Sequence, residues 1–253
     1  MTRKPNYSKL ETTCGFEKDV QMIQPFPNAG MLKENLNFSL AKLQAKLAFS
    51  SEIAYSYVVR SVKLNPEQIR FEQHGSGPNF QGTQLTLCTC KHQMRASQSP
   101  DKWAGTWVAG FTGITIHENK NWLFYLSKIE SAFESHFELW DELSPETREA
   151  KAAHLHYLGD TFMPKKPMQV GDSRFLPSRY QKPSNHSHQN ERNRDGWKND
   201  INYVKVEKYG QPSMLVGDPK WTFIWETPII YFPGKHCRNY EKWYSIAELL
   251  GQL

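Results

Sequence analysis

Leu32, Leu36, Leu40, Leu43 and Leu47 recur at spacings of four, four, three and four, which is one stripe along an amphipathic helix over roughly 31–48. Such a stripe either packs on its own domain or presents a surface to a protein partner or a second copy of the chain. The pattern then changes period. Ile53 to Val62, containing YSYVV, reads as a strand interrupted by Pro66. Gln84 to Cys90 alternates, with Leu85 and Leu87 on one face and Thr86, Cys88 and Cys90 on the other, the signature of an extended segment. Thr106–Gly110, Asn121–Ile129, Met214–Val216 and Trp221–Trp225 are further strand candidates. Helical signals dominate 131–158, where Phe133, Phe137 and Trp140 share a face and Ser144 precedes Pro145 and Glu146 as an N-cap. Gly159 suits the residue after a helix ending at Leu158. A last short helix falls at Ile246–Leu250.

These elements predict an α+β fold with a mostly antiparallel, partly closed sheet, flanking helices and an N-terminal helical extension. Residues 1–50 read as an arm and helix, and 51–253 as a single α+β domain. Residues 160–200 are rich in Pro, Gly, Asn, His and Arg, a long loop region of the kind that often carries function.

Composition narrows the classes. The chain has 253 residues, 38% of them hydrophobic and 13% aromatic, enough to build a core. No apolar run approaches the length of a membrane span, and no secretory leader follows Met1, so a cytoplasmic protein without a membrane partner is expected. The four cysteines, Cys14, Cys88, Cys90 and Cys237, are too sparse for a disulfide framework. Cys88-x-Cys90 lacks the matched second pair of a structural zinc site, and no metal is expected. The net charge is +5, which permits nucleotide or nucleic-acid contact. Its distribution is uneven: 130–150 holds seven acids and one base, whereas 161–210 holds ten Lys/Arg and five acids.

Three segments carry candidate chemistry. In GPNFQGTQLTLCTCKHQMR, Gly77 to Arg95, a glycine-rich loop feeds a strand ending in Lys91, His92 and Arg95, which suit phosphate. The alternative is a hairpin loop with solvated charges. In WAGTWVAGFTG, Trp103 to Gly113, aromatics beside glycines form either a stacking platform for a base or a core strand. Lys165 to Asp195 gathers Lys165, Lys166, Asp172, Arg174, Arg179, His186, His188, Arg192 and Arg194. Two histidines two apart on an extended segment point the same way and suit either metal binding or acid–base work on a polyanion, unless the segment is simply a polar loop. No Walker loop, dinucleotide fingerprint, HExxH or nucleophile elbow is present.

The order of Tyr55–Val59, then Pro78-Asn79 with Gly82, then Thr86-Leu87 with Cys90, Lys91 and Arg95, then Gly105, Trp107 and Gly110 resembles a bacterial and phage family. This is the nucleotide modification associated domain, type two. Lys166-Pro167, Gly171-Asp172, Ser184-x-His186 and Met214–Gly217 are similar to its later motifs. The resemblance covers roughly 53–232. It departs from the family at Gly105-Thr106, where the family has Gly-Asp. It implies a nucleotide or nucleic-acid context in a phage or antiphage type of system. On that basis a group-transfer enzyme acting on a nucleotide or base is expected, with NAD or a nucleoside triphosphate as candidate donors. Asn79, Gly82, Lys91, Arg95, Lys166 and His188 would hold phosphate or sugar and Trp107 would stack on the ring. His186 or Asp172 would be the general base. An ADP-ribosyltransferase-like reaction would add Arg60 and a glutamate such as Glu226. Two other readings stand beside it. One is a non-catalytic reader of modified nucleic acid on a pseudouridine-binding-like barrel. The other is a toxin or adaptor acting through residues 31–48.

Overall fold

The structure is a computed structural model that describes residues 24–25, 35–73, 78–153, 161–182, 195–202, 210–237 and 239–253. In chain order the described elements are β1 (Gln24–Pro25), α1 (Leu40–Leu47), β2 (Ala54–Val59), β3 (Val62–Asn65), β4 (Arg70–Gln73), β5 (Thr86–Leu87) and α2 (His92–Arg95). Then follow β6 (Trp107–Thr112), β7 (Asn121–Phe133), α3 (His136–Glu142), α4 (Pro145–Ala153), α5 (Lys198–Ile201), β8 (Met214–Ile224), β9 (Tyr231–Phe232), β10 (Glu241–Trp243) and α6 (Ile246–Gly251). The fold is α+β. The main sheet runs β10-β2-β6-β7-β8-β5 with β9 on β7, and a small sheet runs β1-β4-β3. Only the β2–β6 pairing is parallel among the described ladders.

The main sheet is buried on both faces, which is why β6 reads as an unbroken apolar run. Strand parity sorts its side chains. Val108 joins Tyr55, Tyr57, Phe80, Leu85, Leu87, Met94 and Trp103 on the face that carries α2. Trp107, Ala109 and Phe111 join Leu43 and Leu47 of α1 and Ile246, Leu249 and Leu250 of α6 on the other. A register shift at Gly110/Phe111 inserts one residue opposite and places both Phe124 and Tyr125 on the α2 face.

The predicted helix of 31–48 is shorter than its leucine spacing suggests. Asn37 adopts φ 51°, Ser39 is the extended N-cap, and α1 begins at Leu40. Leu36 instead forms an isolated bridge with Ile224, with Asn37 N–H donating to Ile224 O at 2.7 Å. Residues 31–34 lie outside the described ones. The α1 stripe is covered by its own fold, with Leu43 and Leu47 buried. The helical reading of 131–158 yields its first residues to β7, because Ala132 and Phe133 pair with Leu215 and Met214. Helix then starts at a capping box, Ser135 accepting from Glu138 N–H while Glu138 accepts from Ser135 N–H. The Ser144 cap forms as expected, accepting from Thr147 N–H at 3.2 Å. Gly159 is outside the described residues.

Two late strands merge into one. β8 runs through Pro219: Ser127 pairs with Thr222 and Ile129 with Gly217, so residues 218–221 stand outside the ladder opposite Lys128, where a proline lacks no bond. The opposite happens at 84–90, where only Thr86 and Leu87 pair, with Val216 and Leu215, and the chain then turns into α2. The alternation holds to Cys88: Leu85 and Leu87 lie in the α2-face core and Cys88 in a separate cluster with Leu139, Leu143, Met214 and Val216, whereas Cys90, expected on the face of Cys88, packs against the Leu85–Leu87 core because the chain leaves the strand after Leu87.

Candidate functional site

The turn from β5 into α2 is made by Lys91 in the left-handed region, φ 56° and ψ 47°. For a residue with a Cβ this costs about 1–2 kcal/mol, and such strain concentrates where a side chain must be aimed. Its ammonium lies 5.2 Å from the centroid of the Tyr57 ring. The Tyr57 and Tyr125 hydroxyls are 2.6 Å apart. They meet across Gly110, the partner of Tyr57 in one ladder and of Tyr125 in the next. Phe80 packs on Tyr125 at 5.6 Å.

The residue after Lys91 carries a second feature. His92 Nε2 is 3.0 Å from Asp200 Oδ1, and the Asp200 side chain is 1% exposed while that of His92 is 17% exposed. A buried carboxylate facing Nε2 fixes the imidazole proton there and leaves Nδ1 as the basic ring atom. A histidine held in this way by a buried carboxylate is the arrangement of an oriented general base. Positive charge from Lys91, phenolic O–H groups from Tyr57 and Tyr125, and the His92–Asp200 pair therefore share one corner of the sheet.

The other expected site residues are distributed differently. Asn79 is 3% exposed, and its Oδ1 accepts from Lys151 Nζ at 3.1 Å and Gln81 N–H at 3.0 Å. Gly82 turns the same loop at φ 80° against Thr147. Arg95 is 1% exposed, donating through Nε to Cys90 O at 2.7 Å and through Nη1 to Ser213 O at 2.5 Å. It thus ties α2 to β8. Trp107 is fully buried on the α1 side of the sheet, opposite Lys91, and donates to Glu52 at 3.0 Å. Parity therefore gives the aromatic beside Lys91 to Tyr57. Asp172 closes its own loop, pairing with Arg179 and accepting from Gln169 N–H at 3.0 Å. Arg174 pairs with Glu138 and approaches Glu134 at 3.7 Å on the wall of a cleft of about 470 Å³ that also includes Asp101 and Phe133. Lys166 is exposed. Arg60 is exposed one residue beyond β2, and Glu226 pairs with Arg70 and accepts from Asn37 at 3.2 Å. His186 and His188 lie outside the described residues. Among the described residues no group of three or more His, Cys, Asp or Glu side chains is placed to hold a metal ion, and no helix is long and apolar enough to cross a membrane.

On the α1 face, His236 forms a buried node at the sheet edge. Its Nδ1 is 2.7 Å from Cys237 O and so carries the proton, leaving Nε2 to accept from the Ser56 hydroxyl at 2.7 Å. Trp243 Nε1–H donates in turn to Ser56 Oγ at 2.7 Å, which pins β10 to β2. Ser56 is fully buried, so this pair joins strands and is closed to a substrate. Burial holds the His236 pKa below its ordinary value, with the Lys91 charge acting in the same direction and the Cys237 carbonyl and Glu241 opposing. As pH falls below about 6.5, the usual histidine value, the unfolded chain takes up a proton that folded His236 refuses. The stability linked to His236 is therefore complete above that pH and is lost as pH falls toward the folded value. Urea midpoints at pH 7.5 and 5.5 should drop more for the parent than for His236→Gln. Equal drops would show that His236 does not carry this dependence.

Asp200, Tyr57 and Tyr125 were not singled out by sequence reasoning as partners in a site. His92 was, beside Lys91, but as a phosphate contact. No local signal links His92 to an aspartate 108 positions away. No family model, curated protein or solved structure matches this chain.

Proposed function

We propose that the protein is a group-transfer enzyme acting on a nucleotide or a nucleic-acid base, with His92 as general base. The observation that carries this is the His92–Asp200 pair, 3.0 Å apart with its carboxylate buried, next to the strained Lys91. In this reading Lys91 neutralises phosphate on the donor or acceptor as a point charge. His92 Nδ1 accepts the proton of the attacking O–H or N–H group as the new bond forms and the anionic leaving group departs from the donor. The sequence resemblance to a nucleotide-modification family supports the substrate class.

The test is mass spectrometry of a short DNA, a short RNA and free nucleotides after incubation with the protein. NAD, nucleoside triphosphates and divalent metal are supplied in separate tubes. The expected result is a mass shift with one donor. It should be reduced by roughly 100-fold or more in His92→Asn, the range in which a general base contributes, and also reduced in Asp200→Asn. No shift in any tube, with oligonucleotide binding retained, would overturn the transfer and leave a non-catalytic reader.

A further inference from the structure

The α1 face of the sheet carries a cationic and aromatic surface on the side opposite Lys91. Trp221 is half-buried and held on edge against Trp107, centroids 5.9 Å apart at 89°, and against Phe223. Lys46 Nζ, in the last turn of α1, lies 4.2 Å from the Trp221 centroid. Lys128 Nζ lies 5.9 Å from it. The two ammonium groups thus converge on one indole. Glu52 pairs with Lys128 and is drawn further inward by Ser50 and Trp107. Among the described residues no carboxylate pairs with Lys46, nor with the exposed Lys42 one helical turn before it. Among the described residues the charges of Lys42 and Lys46 therefore have no carboxylate partner, and they flank an aromatic ring whose orientation is fixed by the core.

We infer that this surface binds single-stranded nucleic acid. The backbone runs past Lys42 and Lys46, and a base stacks at the exposed part of Trp221. This rests on the proposed function and deepens it: the target is a polymer, since one nucleotide cannot reach both faces of a sheet. Cations tracking phosphates beside an aromatic on which a base stacks are the working parts of single-strand binding surfaces. An acidic peptide would satisfy the lysines but would bring no flat ring to the indole.

Binding is measured by fluorescence anisotropy of a labelled single-stranded oligonucleotide across a salt series, with the matching mononucleotide in parallel. Lys42→Ala/Lys46→Ala should weaken oligonucleotide binding and make the log–log salt slope shallower by about 1.4, the value for two phosphate contacts on a single strand. Mononucleotide affinity should not change. Trp221→Ala should cost about tenfold, within the range of one stacked base. Because Trp221 also packs in the core, the lysine pair decides if that variant fails to fold. Unchanged oligonucleotide affinity and slope in the lysine pair would overturn the inference, as would polyglutamate competing as well as the oligonucleotide. The two proposals fail separately. A mass shift confined to free nucleotides keeps the transfer and removes the polymer. Lysine-dependent oligonucleotide binding with no mass shift keeps this surface and removes the transfer.

Discussion

Gly110→Ala is expected to unfold much of this protein at temperatures the parent withstands. A Cβ built there would stand 2.1 Å from Tyr125 Cε1, 2.5 Å from Cδ1 and 2.9 Å from Phe124 Cζ. None of these atoms is the tip of a flexible chain. Tyr125 is fully buried, as is Tyr57, and Phe80 and Phe124 both pack edge-on against Tyr125. Relief requires moving Tyr125, which separates the two hydroxyls now 2.6 Å apart. Overpacking a core costs about 1–3 kcal/mol and stranding a buried polar group about 1–3 more. A loss of about 4 kcal/mol is a large share of a typical stability and corresponds to a fall in Tm of roughly 10 °C for a chain of this size. Thermal melts followed by circular dichroism read it directly. The assignment of the clash is checked by making the same change beside Tyr125→Leu, where the cost of the double variant should be smaller than the sum of the two separate costs. A Gly110→Ala melt within about 2 °C of the parent would refute the account, since that corresponds to under 1 kcal/mol.

Lys151→Met is the second large effect. Lys151 is 2% exposed on α4, and its ammonium donates to Asn79 Oδ1 at 3.1 Å, Gln84 O at 3.0 Å and Thr86 Oγ1 at 3.1 Å. One side chain thus binds the helix to the loop before β5 and to β5 itself. Methionine fills nearly the same space but donates nothing, so the change isolates the three hydrogen bonds from the packing of the stem. Gln84 O loses the donor recorded for it, and Asn79 Oδ1 retains only Gln81 N–H. Leaving a buried acceptor without its donor costs about 1–3 kcal/mol, and the substitution strips a donor from three of them. The expected result is a urea midpoint shifted down by an amount equivalent to about 3 kcal/mol, with the m value unchanged. Hydrogen exchange should speed up at the amides of Asn79 and Thr86, which now bond each other's carbonyls at 2.9 Å. A midpoint unchanged from the parent would mean that the network contributes nothing net. The same loop positions Phe80 against Tyr125, so Lys151 also acts on the candidate site at a distance.

Much of the candidate site lay in a segment the sequence already marked. Lys91 and His92 stand where the alternating run 84–90 ends, and Gly82 stands where a loop requires positive φ. Their roles were less legible. Arg95 carries the same charge as Lys91 four residues earlier, yet it is spent on two carbonyls inside the fold. Arg174 and Arg179 look basic in sequence but are paired with Glu138 and Asp172. A formal charge says nothing about whether a carbonyl or carboxylate from elsewhere will reach it. The aromatic partner of Lys91 fell to Tyr57 and not Trp107 because adjacent strands in one sheet can share a face only at matching parity. The register of β2 on β6, Tyr57 opposite Gly110, sets that match.

What the sequence determined by itself was local. It comprised the α+β class, the alternation of 85–88, the Ser144 cap and the closing helix at 246. Each depends on residues within a turn or two of one another, where backbone sterics and capping hydrogen bonds act. What only the tertiary structure decided was every pairing across distance. The His92–Asp200 contact, the two tyrosines meeting over Gly110, the Lys151 network and the Lys46–Trp221 surface each join segments more than 50 residues apart. Such contacts are fixed by strand order and register, which follow from how whole faces bury together and leave no periodic trace in the chain.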